Sequence, residues 1–78
     1  MRNLGPKSEQ WLEEAGITSV DQLTGMGAVA AFQMVKMKHP QATRNLLWAL
    51  QGAIDDCDWR ELSEETKRRL NAELESGF

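Results

Sequence analysis

The chain predicts an all-α fold: one compact domain of five short helices, spanning residues 1–78 as a single unit. Three observations lead there. No segment alternates apolar and polar residues with the period of two that a half-buried strand requires. Apolar residues instead recur at three- and four-residue spacing, most plainly at Leu46, Leu47, Leu50 and Ile54. Glycines and prolines break the chain often enough to keep every helix short: Gly5-Pro6, Gly16, Gly25, Gly27 and Pro40.

The first helix is expected over Leu4–Ala15. Pro6 suits the first helical position, where its missing N–H would be unpaired anyway, and Gly16 suits a left-handed stop. Trp11, Leu12 and Ala15 share one face, and Ile17 tucks inward after the stop. A short second helix starts at Thr18, where Thr18-x-x-Asp21 resembles a capping box with Asp in place of Glu. Val20 and Leu23 are its expected buried side. Gly25 and Gly27 then break the chain before a third helix, Ala28–Lys38, with Val29, Phe32 and Val35 or Lys36 at contact spacing and Pro40 enforcing its end. Ala28, Ala30 and Ala31 keep this helix thin enough for a close neighbour.

The fourth helix, about Ala42–Asp55, carries the clearest apolar stripe and is expected at the centre of the core. Gly52 within it costs about 1 kcal/mol of helix propensity relative to alanine. The last helix follows Ser63, a good N-cap, with Glu64 and Glu65 placed to complement the helix dipole. Its apolar edge is narrow, Leu70 and Leu74, which puts it at the periphery. Trp11, Trp48 and Trp59 are all expected to contribute to the core.

Size and charge limit what such a domain does. A chain of 78 residues buries only about 60–65% of the surface its unfolded form exposes, so it builds one small core. No enclosed substrate pocket is expected. At 41% hydrophobic and 27% charged residues the composition is that of an ordinary globular chain. No apolar run approaches the length needed to span a bilayer, and the start lacks a signal-peptide core. The single cysteine, Cys57, sits among acidic residues that oppose its ionisation and cannot form an internal disulfide. Together these point to a cytoplasmic setting. The net charge of −3 argues against a strong unaided DNA binder, because neutralising phosphates supplies most of such affinity.

A weak repeat runs through the first half. Asn3-Leu4-Gly5 aligns with Gly25-Met26-Gly27 in a 22-residue register, each an apolar residue between small ones followed by a helix start. This is the outline of helix-hairpin-helix-like turns, as in small SAM/HhH-like domains. The glycines of such a turn leave backbone N–H groups at a helix start free to hold a phosphate oxygen. Gly5, Lys7, Ser8, Gly25 and Gly27 are therefore candidate contacts for a phosphate or for a partner. Pro6 removes one donor, Glu9 adds opposing charge, and no base follows the second turn before Lys36. A second candidate is a basic patch of Lys36, Lys38, His39 and Arg44 around the bend between the third and fourth helices. Lys67, Arg68 and Arg69 lie among glutamates at helical spacing, as a solvated face would.

Catalytic patterns are missing. One His and one Cys stand far apart in the sequence, and no metal-ligand spacing or phosphate-binding loop occurs. Asp55, Asp56 and Asp58 lack the spacing of a calcium loop. No enzyme, cofactor, metal or small-molecule substrate is expected.

The stretches Asn3-Leu4-Gly5-Pro6-Lys7-Ser8, Gly27-Ala28-Val29-Ala30-Ala31 and Asn45-Leu46-Leu47-Trp48-Ala49-Leu50, in this order over nearly the whole chain, resemble the C-terminal domain of the TfoX/Sxy family. These are regulators of bacterial competence for DNA uptake. The resemblance implies a helical, non-catalytic domain that accompanies a separate N-terminal domain. It also implies a role in transcription of competence genes through a protein partner, such as the transcription machinery or the cyclic-AMP receptor protein. Direct DNA contact, if made, is expected to be weak. The family supplies no catalytic residues to carry over.

Overall fold

A computed structural model describes residues 4–76, and all of its regular structure is helical. α1 is Pro6–Glu14, α2 Val20–Met26, α3 Ala28–Lys38 and α4 Arg44–Asp55; a 3-10 turn at Trp59–Glu61 then leads to α5, Glu64–Ser76.

Each boundary has a local cause. α1 starts at Pro6 and ends in a Schellman motif, in which Gly16 takes φ 86°. There the N–H of Gly16 donates to the Glu13 carbonyl at 2.9 Å and that of Ile17 to the Leu12 carbonyl at 2.8 Å. Leu12 and Ile17 are both buried, which is the apolar contact that usually accompanies the motif. α2 begins one residue later than its sequence suggests. Ser19, not Thr18, is the cap: its hydroxyl accepts from the Gln22 N–H at 3.2 Å, while the Gln22 side-chain oxygen accepts from the N–H and hydroxyl of Thr18. The box is closed by Gln22 rather than by Asp21.

α2 and α3 are joined by Gly27 alone, whose φ of 88° and ψ of 155° fall where essentially only glycine goes. Gly25, expected to break the chain, lies within α2. α3 covers the span expected for it. α4 starts at Arg44 rather than Ala42, because residues 39–42 form a turn closed by the Ala42 N–H on the His39 carbonyl at 2.9 Å. It ends in a second Schellman motif, with Asp56 at φ 53° and the Cys57 N–H donating to the Gly52 carbonyl. Ser63 caps α5 as expected, accepting from the Thr66 N–H at 3.1 Å.

The core is a single cluster. Phe32, Leu12, Leu23, Leu47, Leu50 and Val35 are its fully buried large side chains, contributed by α1 to α4. α3 packs on α4, α2 touches both, and α1 and α5 lean on α3. Ala28 and Ala31 of α3 and Ala49 and Ala53 of α4 are buried as well. α5 contributes Leu70 and, in part, Leu74. The radius of gyration, 11.3 Å, matches the ~11.5 Å expected for a compact chain of this length.

Two expectations about the core fail. Val20 is 40% exposed, because the one-residue shift of the α2 cap leaves Leu23 as that helix's only buried residue. None of the three tryptophans is fully buried; Trp11, Trp48 and Trp59 each keep an accessible edge. Trp11 and Trp48 pack against the core from outside, and Trp59 stands in the 3-10 turn.

Candidate functional site

The two glycine turns open α1 and α3 in different ways. Gly5 is the N-cap of α1 with ordinary extended backbone, φ −81° and ψ 176°, and Leu4 before it is buried. Asn3, the first residue of that turn, lies outside the described residues. Gly27 caps α3 in its glycine-only conformation, and Met26 before it is partly buried against the core. The shared feature is chemical: neither helix start has a side chain capping it. The first-turn N–H groups of Lys7 and Ser8, and of Ala28, Val29 and Ala30, precede the first i→i−4 acceptor and have no intrahelical partner. Gly25 is exposed within α2.

Lys7 does not extend freely. Its Nζ lies 5.3 Å from the centre of the Trp11 ring, one turn along α1, in a cation–π contact. Ser8 is half-buried and lines a surface cleft.

The basic residues of the α3–α4 bend are held in intramolecular contacts. Lys36 Nζ donates to the carbonyls of Pro40, at 2.9 Å, and Ala42, at 2.8 Å, and lies 5.9 Å from the Phe32 ring centre. Lys38 Nζ donates to the Glu14 carbonyl at the end of α1, at 3.0 Å. His39 Nε2 is 2.7 Å from a Glu14 carboxylate oxygen, and the imidazole stacks on Trp11 with ring centres 4.5 Å apart and planes 13° apart. Arg44 is 4.0 Å from Glu75 and half-exposed. Each of the four residues has a partner of its own within the domain. They tie the bend to itself, to α1 and to α5.

A shallow cleft of about 340 Å³ runs between α1 and the start of α4, with Ser8, Trp11, Gln41, Thr43, Asn45 and Trp59 on its walls. The sequence does not announce it, because Trp11 and Trp59 are 48 positions apart and each reads as core. Trp59 is positioned by Asp58, which caps the 3-10 turn by accepting from the Arg60 N–H. The Asp58 carboxylate also binds Arg60 Nε at 3.1 Å and Nη2 at 2.9 Å. These bonds, and then its charge, hold the Arg60 guanidinium above its ordinary pKa. A different apolar spot lies on α3, where Met37 is 84% exposed and Met34 39%, beside Ala15.

Among the described residues no group of acidic, His and Cys side chains is arranged to hold a metal ion. No described helix is long and apolar enough to cross a membrane.

Comparison with known proteins agrees with the all-helical fold. The family model of the TfoX C-terminal domain matches residues 1–74. The chain belongs to that family. The fold is also that of a Listeria monocytogenes protein of unknown function, known from a crystal structure in a tetragonal form. That protein is 30% identical, with a TM-score of 0.88 over 97% of this chain and 94% of the other. No curated protein matches. The TfoX C-terminal domain is a competence-related regulatory domain.

Proposed function

We propose that this TfoX C-terminal domain is a non-enzymatic regulatory module that acts in transcription by docking on a protein partner. One observation carries the preference for protein over DNA. Lys7 at the start of α1, and Lys36, Lys38 and His39 at the α3–α4 bend, each make contacts within the domain. A DNA ligand would have to compete for them on a chain of net charge −3. The partner proposed is the transcription machinery or the cyclic-AMP receptor protein, as the resemblance to the competence regulators implies.

Weak direct nucleic-acid binding is the second reading, supported by the uncapped starts of α1 and α3. Parallel titrations separate the two. The labelled domain is titrated with purified RNA polymerase, with the cyclic-AMP receptor protein and with duplex DNA, at low and physiological salt. Saturable binding to one of the proteins, little changed by salt, is the expected result. Binding to DNA alone, falling steeply with salt and weakened by Lys7→Glu, would replace the first reading by the second.

A further inference from the structure

We infer that a cleft between α3, the start of α4 and α5 is the docking point for an acidic segment of the partner. One carboxylate of that segment would sit between Lys36 and Arg44, and the apolar side chain next to it on Phe32 and Leu74. The inference rests on the protein-docking reading above and names the surface and the chemistry it would use.

The sequence groups Lys36, Lys38, His39 and Arg44 in one basic patch, and the structure divides them in two. Lys38 lines the Met34–Met37 spot together with Glu14, and His39 is bound to the Glu14 carboxylate. That half carries its own counter-charge. Lys36 and Arg44 line a separate cleft of about 380 Å³, with no carboxylate among its described lining residues. Lys36 is held there by neutral groups: the carbonyls of Pro40 and Ala42 accept from it, and the Phe32 ring lies 5.9 Å away. These contacts fix the ammonium without cancelling its charge, and they leave one of its three N–H donors. A bound carboxylate therefore adds to them and displaces none. Arg44 is half-exposed, and its ion-pair partner is Glu75, a 4.0 Å approach between exposed groups that water weakens. Its guanidinium carries the paired N–H donors that a carboxylate fits.

The rest of the lining selects a peptide over a phosphate backbone. Phe32 and Ala42 are buried and Leu74 is partly covered, which gives the cleft an apolar floor. Gln33 adds an amide oxygen with no hydrogen-bond partner, and Thr43 a hydroxyl that does not cap α4. A peptide has backbone N–H and carbonyl groups to meet both. A DNA backbone draws its affinity from many phosphates along a positive surface, which a chain of net charge −3 with two cations in one cleft does not offer. The cleft walled by Trp11 and Trp59 has no charged residue on its described lining, so charge complementarity chooses between the two clefts.

The test is a selection from a dodecapeptide display library on the intact, immobilised chain, with the winners measured by fluorescence polarisation. The expected winners carry Asp or Glu beside a bulky apolar residue. Their affinity should fall at least about tenfold in Arg44→Gln and in Lys36→Met, since each removes half of a charge contact. It should stay within about twofold in Lys38→Met, whose charge lies outside the cleft. Circular dichroism checks that the variants fold, and Arg44→Gln, a surface change, decides alone if Lys36→Met does not. No enriched peptide, winners without carboxylates, or undiminished binding in Arg44→Gln overturns the cleft. Displacement of the peptides by inorganic phosphate or duplex DNA at equal concentration does the same, because the occupant is then a phosphate. A purified partner that binds the parent and Arg44→Gln alike leaves the docking reading standing and removes only the cleft. A chain that selects such peptides, yet binds neither RNA polymerase nor the cyclic-AMP receptor protein, keeps the cleft and loses that choice of partner.

Discussion

The two glycine turns, Leu4-Gly5 before α1 and Met26-Gly27 before α3, look alike in sequence and differ in backbone. At Gly27 the chain reverses between two helices in one residue, at φ 88° and ψ 155°, which no side chain tolerates well. At Gly5 the chain is extended, and a Cβ would meet nothing within 4 Å. One glycine is required by geometry, while the other is required by nothing inside the domain. Likeness of residues at a 22-residue spacing therefore does not mean likeness of conformation. The apolar residues differ as well: Leu4 is buried as part of the core, whereas Met26 is only partly covered.

Substitutions sharpen this contrast. Gly27→Ala should cost roughly 2–3 kcal/mol, because it forces a side chain into a glycine-only region. Chemical denaturation would show it, and a loss below 0.5 kcal/mol (on the order of error) would mean that the α2–α3 link relaxes into another turn. Leu4→Ala should cost about 2 kcal/mol, the low end for a core leucine because it lies at the edge of the cluster. Met26→Ala should cost less, and the reverse order would erase the difference between the turns. Gly25→Ala should stabilise by about 0.5–1 kcal/mol, since Gly25 lies within α2, is exposed and has open space around it. A rise in the thermal midpoint is the expected readout, and a fall would contradict the helical placement of Gly25. Gly5→Ala should stay within about 0.5 kcal/mol of the parent. A larger loss would show that the α1 turn carries a demand its extended backbone does not reveal.

Much of the fold was legible because local signals agreed with tertiary ones. Gly16 marked the end of α1, Ser63 the start of α5, and the span of α3 followed from Gly27 and Pro40. The stripe at Leu46, Leu47 and Leu50 is buried as its spacing implies. The misses share a cause, which is competition among neighbours of similar chemistry. Thr18 and Ser19 are both acceptable caps, and the outcome depends on Gln22 reaching back to Thr18. Asp56 adopts the left-handed stop usually given to glycine, so the end of α4 carried no glycine signal. The tryptophans read as core by hydrophobicity alone, yet each sits at a rim where one edge stays accessible.

The candidate sites were less legible, since their state depends on partners remote in sequence. Lys38 and His39 are neighbours on the chain, but the residue that engages both is Glu14, 24 and 25 positions away. No pattern within the bend could have revealed that. The cleft has the same character, formed where α1, the start of α4 and the 3-10 turn converge.

The most direct test of the account is an amide-resolved NMR titration of the isotope-labelled domain with duplex DNA at low salt. The domain's acidity and its engaged cations predict no saturable shift at the N–H groups of Lys7, Ser8, Ala28, Val29 or Ala30. Saturable shifts confined to those amides, abolished by added salt, would contradict it and make the two turns a nucleic-acid grip.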